Sequence, residues 1–404
     1  MGPQRDLAAL CAPEVSAPAQ AVSDDSAGRV TGEASGTAPL RILHVTEAAA
    51  GGIVTVLDSF TKRQVEAGSA ATVFFLQRPE GPAAAEMRDH FDERVQLRSF
   101  TGGGPKIRDY LALSLAMLRA FRRREFDVVH VHSSKAGFLA RILWLISPRR
   151  AKLFYSPHGF AFLRQDVPAL PRHLFKLAER LLAPVGHGLI VTCESERQLA
   201  SQALRARRTA TVRTGVDEKV FDSESDPRKT ERATRVKPTV VGIARVTHQK
   251  GPWRFAQVSR ALDGLADFVW IGGGPSEDEQ KWLGDAPVRI TGWQSPADLE
   301  RMIDSADILL FPSLWEGMPL ALIQAQARGI PAVVSDIVGN RDAVLDGTTG
   351  FVCSTDEQLV ERTRKLIEDP DLRATMSAAA SLWIREHHTD RDLGQQSLAI
   401  YSRS

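Results

Sequence analysis

The feature that most constrains the fold of this chain is an alternation of short apolar segments with longer segments of helical spacing, maintained over most of its 404 residues. "LRILHVT" (40–46), "ATVFFL" (71–76) and "DVVHVH" (127–132) have the length and the β-branched content of buried strands. Helical patterns of about 10–15 residues separate such segments, as in βαβ units. This order predicts an α/β fold built on parallel sheets.

The alternation occurs twice along the chain. "KLFYSP" (152–157) and "HGLIVTC" (187–193) complete a first series of strands, and "TVVGIAR" (239–245), "DFVWIGGGP" (267–275) and "ADILLFPS" (306–313) belong to a second. We therefore predict two doubly wound, Rossmann-like domains that face each other across a cleft. Folds of this kind bind ligands at the carboxyl ends of their strands, so the cleft is the expected site.

Composition sets the expected domain boundaries. Residues 1–38 are rich in Ala, Ser, Gly and Pro and lack periodicity, which is typical of a disordered tail. Residues 222–238 are charged and almost devoid of apolar side chains, which predicts a linker or surface loop over residues 217–238. The domains should then span 39–216 and 239–384, and we expect the helix at 385–404 to pack back on the first domain.

Cysteine usage and hydropathy limit the class of protein. Cys11, Cys193 and Cys353 are far apart and fit neither a disulfide framework nor a zinc site. The longest apolar run, "GFLARILWLIS" (137–147), is too short to cross a bilayer and contains an arginine. We therefore expect a cytoplasmic protein.

Charge is distributed unevenly between the two halves. Residues 39–216 contain 27 Lys and Arg against 15 Asp and Glu, whereas residues 217–404 contain 22 against 29. This difference in charge could reflect only the composition of the solvated surfaces. It could also mean that the first half binds an anionic partner. Zinc-finger and RNA-binding aromatic signatures are missing from the sequence, which argues against nucleic acid. Arg122, Arg123 and Arg124, near apolar side chains, favour peripheral attachment to an anionic membrane.

One segment of the second half has the pattern of a ligand-binding site. In "LWEGMPLALIQAQARG" (314–329), Leu320, Ile323 and Ala327 supply the apolar face of a core helix. That face requires neither Glu316 nor Gly317 at the start of the helix. Pro319 suits the first helical position, and a helix N-terminus offers unpaired N–H groups to an anion.

Cations and glycines occur at equivalent points of other strand-to-helix turns. Arg245 and Lys250 stand between the strand at 239–245 and a helix beginning near residue 252, where they could clamp a diphosphate. Gly51 and Gly52 follow the first strand and would let the backbone approach a phosphate or a sugar, although a double glycine is often only a turn.

Histidines mark the ends of two strands. His130 lies inside its strand and is interpreted as a core residue, whereas His132 and His158 should face the cleft, where one of them would touch substrate. "IGGGP" lacks the dinucleotide fingerprint, and the sequence contains no Walker loop and no paired acids at a strand end that would bridge a metal to a diphosphate. We therefore expect neither a metal nor a tightly bound cofactor.

Taken together, these motifs resemble the retaining glycosyltransferases of the GT-B fold, family 4, also called glycosyltransferase group 1. The similarity runs from about residue 40 to the C-terminus and rests on the following motifs, in order: "GG" (51–52), "HSSKAG" (132–137), "PHGF" (157–160), "TGVD" (214–217), "ARVTHQKG" (244–251), "IGGGP" (271–275), "TGW" (291–293), "PSLWEGMPLALIQAQARGIPAVVSD" (312–336) and "VGNRDAV" (338–344). Within the family, "HSSKAG" with "PHGF" is similar to enzymes that extend lipid-linked repeat units of bacterial surface polysaccharides.

The resemblance implies a role for each matching residue. The second domain would bind a UDP- or GDP-linked sugar and the first an acceptor, such as a polyprenyl-diphosphate-linked saccharide of exopolysaccharide or capsule assembly. Glu316 would bond hydroxyls of the donor sugar, Arg245 and Lys250 would hold the diphosphate, and His158 would lie beside the transferred sugar. The remaining donor contacts would come from Gly51, Gly52, Gly317, Met318, Pro319 (which has no N–H), Leu320 and Gln324. Transfer would proceed with retention and without a metal, the leaving phosphate helping to deprotonate the acceptor.

Two departures from the family pattern leave alternatives open. Gln324 stands where the motif has a second acid, and Thr214 stands where "NGVD" has asparagine. A glutamine can accept a ribose hydroxyl but lacks the charge and the second oxygen of a carboxylate. A sugar-nucleotide epimerase of the same fold and a non-catalytic sugar-nucleotide-binding protein are the rival interpretations.

Overall fold

The computed structural model describes residues 39–78, 81, 86–100, 106–148, 151–221 and 236–403. The predicted tail at 1–38 lies outside these residues, as does most of the predicted linker, residues 222–235. Of that linker, Glu218–Phe221 forms a short 3-10 helix. Within the described ranges, no helix combines the length and the apolar character needed to cross a bilayer.

Two parallel sheets form the framework, which confirms the predicted α/β class. The first has the order β3-β2-β1-β4-β5-β6-β7 and consists of β1 (Arg41–Ala49), β2 (Ala70–Gln77), β3 (Gln96–Ser99), β4 (Val128–His132), β5 (Lys152–Ser156), β6 (Gly188–Val191) and β7 (Thr209–Thr211). The second has the order β10-β9-β8-β11-β12-β13 and consists of β8 (Thr239–Ile243), β9 (Asp267–Ile271), β10 (Val288–Ile290), β11 (Ile308–Phe311), β12 (Ala332–Ser335) and β13 (Gly350–Cys353). Both orders reverse direction beside their first strand, which creates the crevice where doubly wound sheets bind ligands.

Helices connect the strands. Those of the first domain are α1 (Gly52–Glu66), α2 (Ile107–Arg122), α3 (Ser134–Leu145), α4 (Ala169–Leu182) and α5 (Glu194–Leu204). Those that follow are α6 (Pro252–Ala261), α7 (Ser276–Leu283), α8 (Pro296–Asp304), α9 (Leu320–Ala327), α10 (Asn340–Ala343), α11 (Asp356–Glu368), α12 (Pro370–His387) and α13 (Leu393–Arg403). Short 3-10 helices occur at Glu86–His90, Ala161–Leu163 and His248–Lys250. Helices cover both faces of each sheet, so the strands are nearly continuous apolar segments. In β1, for example, Ile42, Leu43 and Val45 are all fully buried.

The last helix returns to the first domain. α13 packs against α1, and Gln64 Nε2 of α1 donates to Ser397 Oγ of α13 at 3.0 Å. Just before α13, Asp390 forms an ion pair of 2.6 Å with Arg63. The returning helix begins at Leu393, because α12 extends to His387 before the chain turns.

Segments that follow strands of the two sheets contact each other directly. Leu320, at the start of α9, belongs to a buried cluster that also contains Ile42 and Val56 of the first domain. Gln165 Nε2 donates to the carbonyl of Leu314 at 3.2 Å. The loops after the strands of one domain therefore lie against those of the other, which places candidate residues from both domains at one site.

Candidate active site

Lys250 and Glu316 form the polar centre of the site. Lys250 ends a 3-10 helix after β8, Glu316 lies in the turn after β11, and the ammonium Nζ is 2.5 Å from the carboxylate Oε1. Only 18% of the lysine side chain and 8% of the glutamate side chain are exposed. Gln249 Nε2 donates to the Trp315 carbonyl at 2.8 Å and so holds the turn that presents Glu316. A shielded cation and carboxylate at the carboxyl end of neighbouring strands can bind the phosphate and the hydroxyls of one ligand.

The loop that contains His158 lies directly on the turn after Glu316. A Cβ added to Gly317 would stand 2.7 Å from the carbonyl carbon of His158 and 2.8 Å from the nitrogen of Gly159. A Cβ on Gly339, whose φ is +84°, would collide with the Gly317 carbonyl oxygen, 1.6 Å away. Three segments of backbone therefore approach one another more closely than any side chain permits, which is the physical reason for these glycines.

A buried carboxylate fixes the His158 loop. Glu196 Oε1 accepts a hydrogen bond of 2.9 Å from the backbone N–H of Gly159, and its Oε2 accepts one of 2.9 Å from Thr192. His158 itself has a φ of +51°, a strained conformation for a residue with a side chain. Sequence reasoning missed Glu196, because a single acid in the first turn of a helix is indistinguishable from a solvated one.

The other donor candidates occupy the segments that follow β1, β8 and β11. Arg245 is half-buried two residues beyond the end of β8. Gly51, with φ of +60°, precedes α1, and a Cβ on Gly52 would contact the Leu320 side chain at 3.7 Å. Gln324 is half-buried one turn into α9. Met318 and Pro319 lead into that helix, which begins at Leu320. Pro319 therefore precedes the helix as its N-cap and does not occupy the first helical position, contrary to the prediction.

His132 does not face the cleft as predicted. Its side chain is fully buried behind His158, and its Nδ1 is 2.8 Å from the Nε2 of His158. His158 is half-buried. Burial lowers the pKa of His158 to about 4 and holds the pKa of His132 well below the ordinary value, so both rings are neutral at pH 7. Of the two histidines, only His158 has surface through which it could touch a ligand.

The predicted basic cluster lies away from this centre. Arg122, Arg123 and Arg124 are exposed where α2 ends, before the amino end of β4. His132 stands at the carboxyl end of the same strand. The structure therefore separates the arginines from the histidines by the length of β4, and they do not line the cleft.

A group of histidines has spacing suited to a metal ion. His44, His130 and His132 each offer a ring nitrogen, and these atoms lie within 4.8 Å of one another. His44 Nδ1 and His132 Nε2 are 2.9 Å apart, however, and are hydrogen-bonded to each other. Both ring nitrogens of His130 are bonded as well, to Tyr401 OH at 2.7 Å and to Ser156 Oγ at 2.8 Å. The absence of a metal stays a prediction.

Comparison with known families identifies the class of protein. The profile described as "Glycosyltransferase Family 4" matches residues 50–220, and the one described as "Glycosyl transferases group 1" matches residues 223–383. The chain therefore belongs to the family 4 glycosyltransferases of the GT-B fold, which use nucleotide sugars as donors.

Its relatives include proteins of bacterial polysaccharide synthesis. A UDP-Gal:α-D-GlcNAc-diphosphoundecaprenol α-1,3-galactosyltransferase of Escherichia coli is 28% identical over 61% of this chain and 67% of its own. An uncharacterized 41.2 kDa protein in the cps region of Klebsiella pneumoniae is 24% identical over 79% of this chain and 87% of its own. Among solved structures, HepE of Anabaena in complex with UDP-glucose superposes with a TM-score of 0.71, at 17% identity, over 90% of this chain and all of the other.

Proposed function

We propose that this protein transfers a hexose from a UDP- or GDP-linked donor to a hydroxyl of a polyprenyl-diphosphate-linked saccharide, with retention and without a metal, at the inner face of the cell membrane. The observation that carries the proposal is the shielded pair of Lys250 and Glu316 beneath the His158 loop. The names of the relatives support the acceptor class: one acts on GlcNAc-diphosphoundecaprenol and another lies in a cps region.

The charges of the site suit this reaction. Cleavage of the bond between the sugar and the diphosphate leaves negative charge on the departing phosphate. Lys250 and Arg245 follow β8 and could neutralise that charge, with the N–H groups ahead of α9 adding to the effect. Glu316 would then separate from Lys250 and accept hydrogen bonds from hydroxyl groups of the sugar. Because the cations are supplied by the chain, a bridging metal is not required.

Product analysis tests the reaction. UDP- and GDP-sugars would be incubated with the protein and a polyprenyl-diphosphate-linked saccharide, with and without EDTA, and nucleotide release and the anomeric proton coupling of the product would be measured. We expect acceptor-dependent release, unaffected by EDTA, and an α-linked product from an α-linked donor. Donor conversion without an acceptor would favour the rival epimerase, and binding without release would favour a non-catalytic protein.

The first domain also carries an apolar surface suited to a membrane. Leu170, Leu174, Leu177 and Leu181 recur at helical spacing along α4, and all four are exposed. The opposite face of α4 contains the buried Glu179. A helix with exposed leucines and a buried carboxylate has the reverse of the usual polarity. This reversal supports the proposal that the leucine face contacts an apolar phase.

The neighbouring helix shows the same reversal. On α3, Phe138, Ile142 and Leu145 are exposed, whereas Arg141 is buried and bonds Glu179 Oε2 at 2.8 Å. Tyr155 OH donates to the other oxygen of Glu179 at 2.9 Å. This buried ion pair joins α3 to α4 and turns both apolar faces outward. The two helices form what we call the membrane face.

We assign an anionic bilayer to the membrane face because exposed cations accompany the apolar side chains. Lys176 and Arg180 are exposed on α4 beside the leucines, and the domain has an excess of 12 positive charges. Arg122, Arg123 and Arg124 would add long-range attraction, each worth about 1 kcal/mol near an anionic surface. Docking there would bring the cleft to a lipid-linked acceptor.

Liposome flotation tests this assignment. Binding to phosphatidylglycerol vesicles should exceed binding to phosphatidylcholine vesicles and weaken as salt rises. Leu174→Asp with Leu177→Asp should abolish it, and replacing the three arginines with Glu should weaken it. Leu382→Asp is the matched control, since Leu382 of α12 is 59% exposed and Leu174 is 55% exposed. Equal flotation with both lipids, or a dimer held by this face in sedimentation, would contradict the assignment.

A further inference from the structure

A chain of buried polar side chains runs through the first domain from α13 to the His158 loop. Ser397 and Tyr401 of α13 contact Gln64 of α1, Gln64 contacts His44, His44 contacts His132, and His132 contacts His158. All of these side chains except His158 are fully buried. Fully buried polar side chains normally have partners, and here the donors and acceptors can be assigned along the whole chain.

A backbone carbonyl fixes the direction of the first hydrogen bond, because a carbonyl oxygen can only accept one. Ser397 Oγ is 2.8 Å from the carbonyl of Gly394 and must donate to it. With its single hydrogen used, Ser397 Oγ accepts at 3.0 Å from the amide nitrogen of Gln64. The amide of Gln64 is thereby oriented, with its nitrogen toward α13 and its oxygen toward His44.

A second carbonyl gives the same orientation independently. Ser156 Oγ donates to the carbonyl of Ile190 at 2.6 Å and so accepts from His130 Nε2 at 2.8 Å. The other ring nitrogen of His130 then accepts from Tyr401 OH at 2.7 Å. The oxygen of Tyr401 is left to accept from Gln64 Nε2 at 3.3 Å. Both hydrogens of the Gln64 amide are therefore directed toward α13.

The orientation of Gln64 sets the proton on each ring that follows. Gln64 Oε1 accepts from His44 Nε2 at 2.8 Å, which leaves His44 Nδ1 bare. His44 Nδ1 accepts from His132 Nε2 at 2.9 Å, and His132 Nδ1 accepts from His158 Nε2 at 2.8 Å. In a neutral imidazole one nitrogen donates and the other accepts, so each step determines the next.

On this basis we propose that Gln64, His44 and His132 form a histidine relay that holds His158 in the tautomer protonated at Nε2. Nδ1 of His158 is then an obligatory hydrogen-bond acceptor, suited to a hydroxyl of the sugar or of the acceptor alcohol. The inference rests on the proposed transfer reaction for its purpose. His44, His132 and Gln64 act through His158 and are positioning residues.

Burial keeps the histidine rings of the relay neutral, and neutral rings preserve the sequence of donors and acceptors along it. Burial lowers the pKa of His44 and of His158 to about 4 and that of His132 well below the usual range. Phe60 lies with its edge toward His132, at a centroid separation of 6.0 Å, and contributes apolar surroundings. A protonated His44 or His132 would present two N–H groups and would place one of them against another donor. A protonated His158 would lose the bare Nδ1 that accepts from the ligand. Neutrality of the rings is therefore a condition of the relay.

Histidine nitrogen NMR tests the assignment without requiring turnover. In ¹⁵N-histidine protein at pH 7, with the signal identified by its loss in His158→Gln, His158 should show a protonated Nε2 and a bare Nδ1. In Gln64→Met the oxygen that orders the relay is gone, and Nδ1 of His158 should become at least partly protonated. A protonated Nδ1 in the unaltered protein, or the same tautomer in Gln64→Met, would overturn the relay.

Kinetics test what the relay does. His132→Phe keeps a ring but cuts the connection, and we expect kcat to fall about tenfold, the effect of one misdirected hydrogen bond. Phe154→Leu is the control, because Phe154 packs against Tyr401 at 4.9 Å and its shortening weakens the core without removing a hydrogen bond of the relay. Phe154→Leu should lower the melting temperature and leave kcat near its original value. Equal losses of kcat in both variants would reduce the relay to a structural role.

Two outcomes separate this inference from the proposed function. If the unaltered protein transfers no sugar, the proposed function fails, while the tautomer of His158 still decides the relay. If elemental analysis of the purified protein finds a stoichiometric metal that is lost in His44→Gln, the bare ring nitrogens belong to that metal and the relay is wrong.

Discussion

The ammonium of Lys250 lies 2.5 Å from the carboxylate of Glu316, although we expect both groups to bind the donor. Each group thus neutralises the charge of the other before the donor binds. Lys250 also lies 5.2 Å from the centroid of the Phe311 ring, whose face attracts a cation. Donor binding would exchange this pair for contacts with phosphate and hydroxyl oxygens, so that neither charge is left without a partner at any stage.

Removal of either partner should affect turnover more than folding. We expect Lys250→Ala and Glu316→Ala each to lower kcat/KM by about 10²–10³-fold, the effect of deleting one preorganised electrostatic contact. Each single variant leaves a shielded charge alone, so the double variant should lose less stability than the sum of the two. Urea unfolding and steady-state kinetics measure both effects. Near-normal kinetics in either single variant would exclude that residue from the site.

Gln324→Glu should tighten donor binding or leave it unchanged. The substitution supplies two acceptor oxygens for a ribose, and a charge-assisted hydrogen bond contributes about 1.5–3 kcal/mol against about 1 for a neutral one. Calorimetric titration with UDP measures the change, and 2′-deoxy-UDP is the control that should show little of the gain. A large loss of UDP affinity would indicate that Gln324 faces something other than ribose.

Gly317→Ala should abolish most activity while the protein remains folded. Its Cβ would lie 2.8 Å from the nitrogen of Gly159, so the His158 loop would have to move away from Glu316. A displacement of about 1 Å at a reacting group can cost about 10²-fold in rate. Gly264→Ala is the control: its φ of +78° strains an alanine and lowers stability, but nothing lies within 4 Å of the added Cβ, so no loop is displaced and activity should be kept. Full activity in Gly317→Ala would show that the contact between these loops is not required.

Mild acid should destabilise the protein through its buried histidines. Burial lowers the pKa of His44, His158 and His388 to about 4, below the value of about 6.5 in an unfolded chain. Because the unfolded state binds these protons first, stability is complete above pH 6.5 and declines as the pH falls toward 4. Each histidine contributes up to about 1.4 kcal/mol per pH unit within this window. Asp58, whose pKa burial raises to about 6, acts in the opposite direction.

Urea unfolding at pH 7.5 and at pH 5 measures this linkage. We expect a lower free energy of unfolding at pH 5, because burial also holds the pKa values of His130 and His132 well below the usual range. Five histidines then oppose two acids, Asp58 and Glu196, whose pKa values burial raises. An unchanged free energy of unfolding would mean that the histidines are hydrated in the native protein.

The sequence by itself determined the class of fold and singled out the candidate residues of the donor site. Strand periods are local properties, so the segments that became β1 and β4 could be read from spacing alone, and the predicted strand at 127–132 contains all of β4. Glu316, Gly317 and Lys250 stood out because their types are not needed by the elements that contain them. Parallel strands bring their carboxyl ends to one edge, which is why such separated residues could be assigned to one site.

Tertiary structure alone decided which side chains meet. Gln64 and Ser397 are 333 positions apart, and no local pattern distinguishes Gln64 from a solvated glutamine on a helix. The same limit applies to α4, where helical spacing indicates an apolar face but does not show whether the core or the solvent lies beside it. Only the packing of Arg141 against Glu179 reveals that the leucines point outward. Contacts between distant segments depend on how the layers assemble, and that information is absent from the period of any single segment.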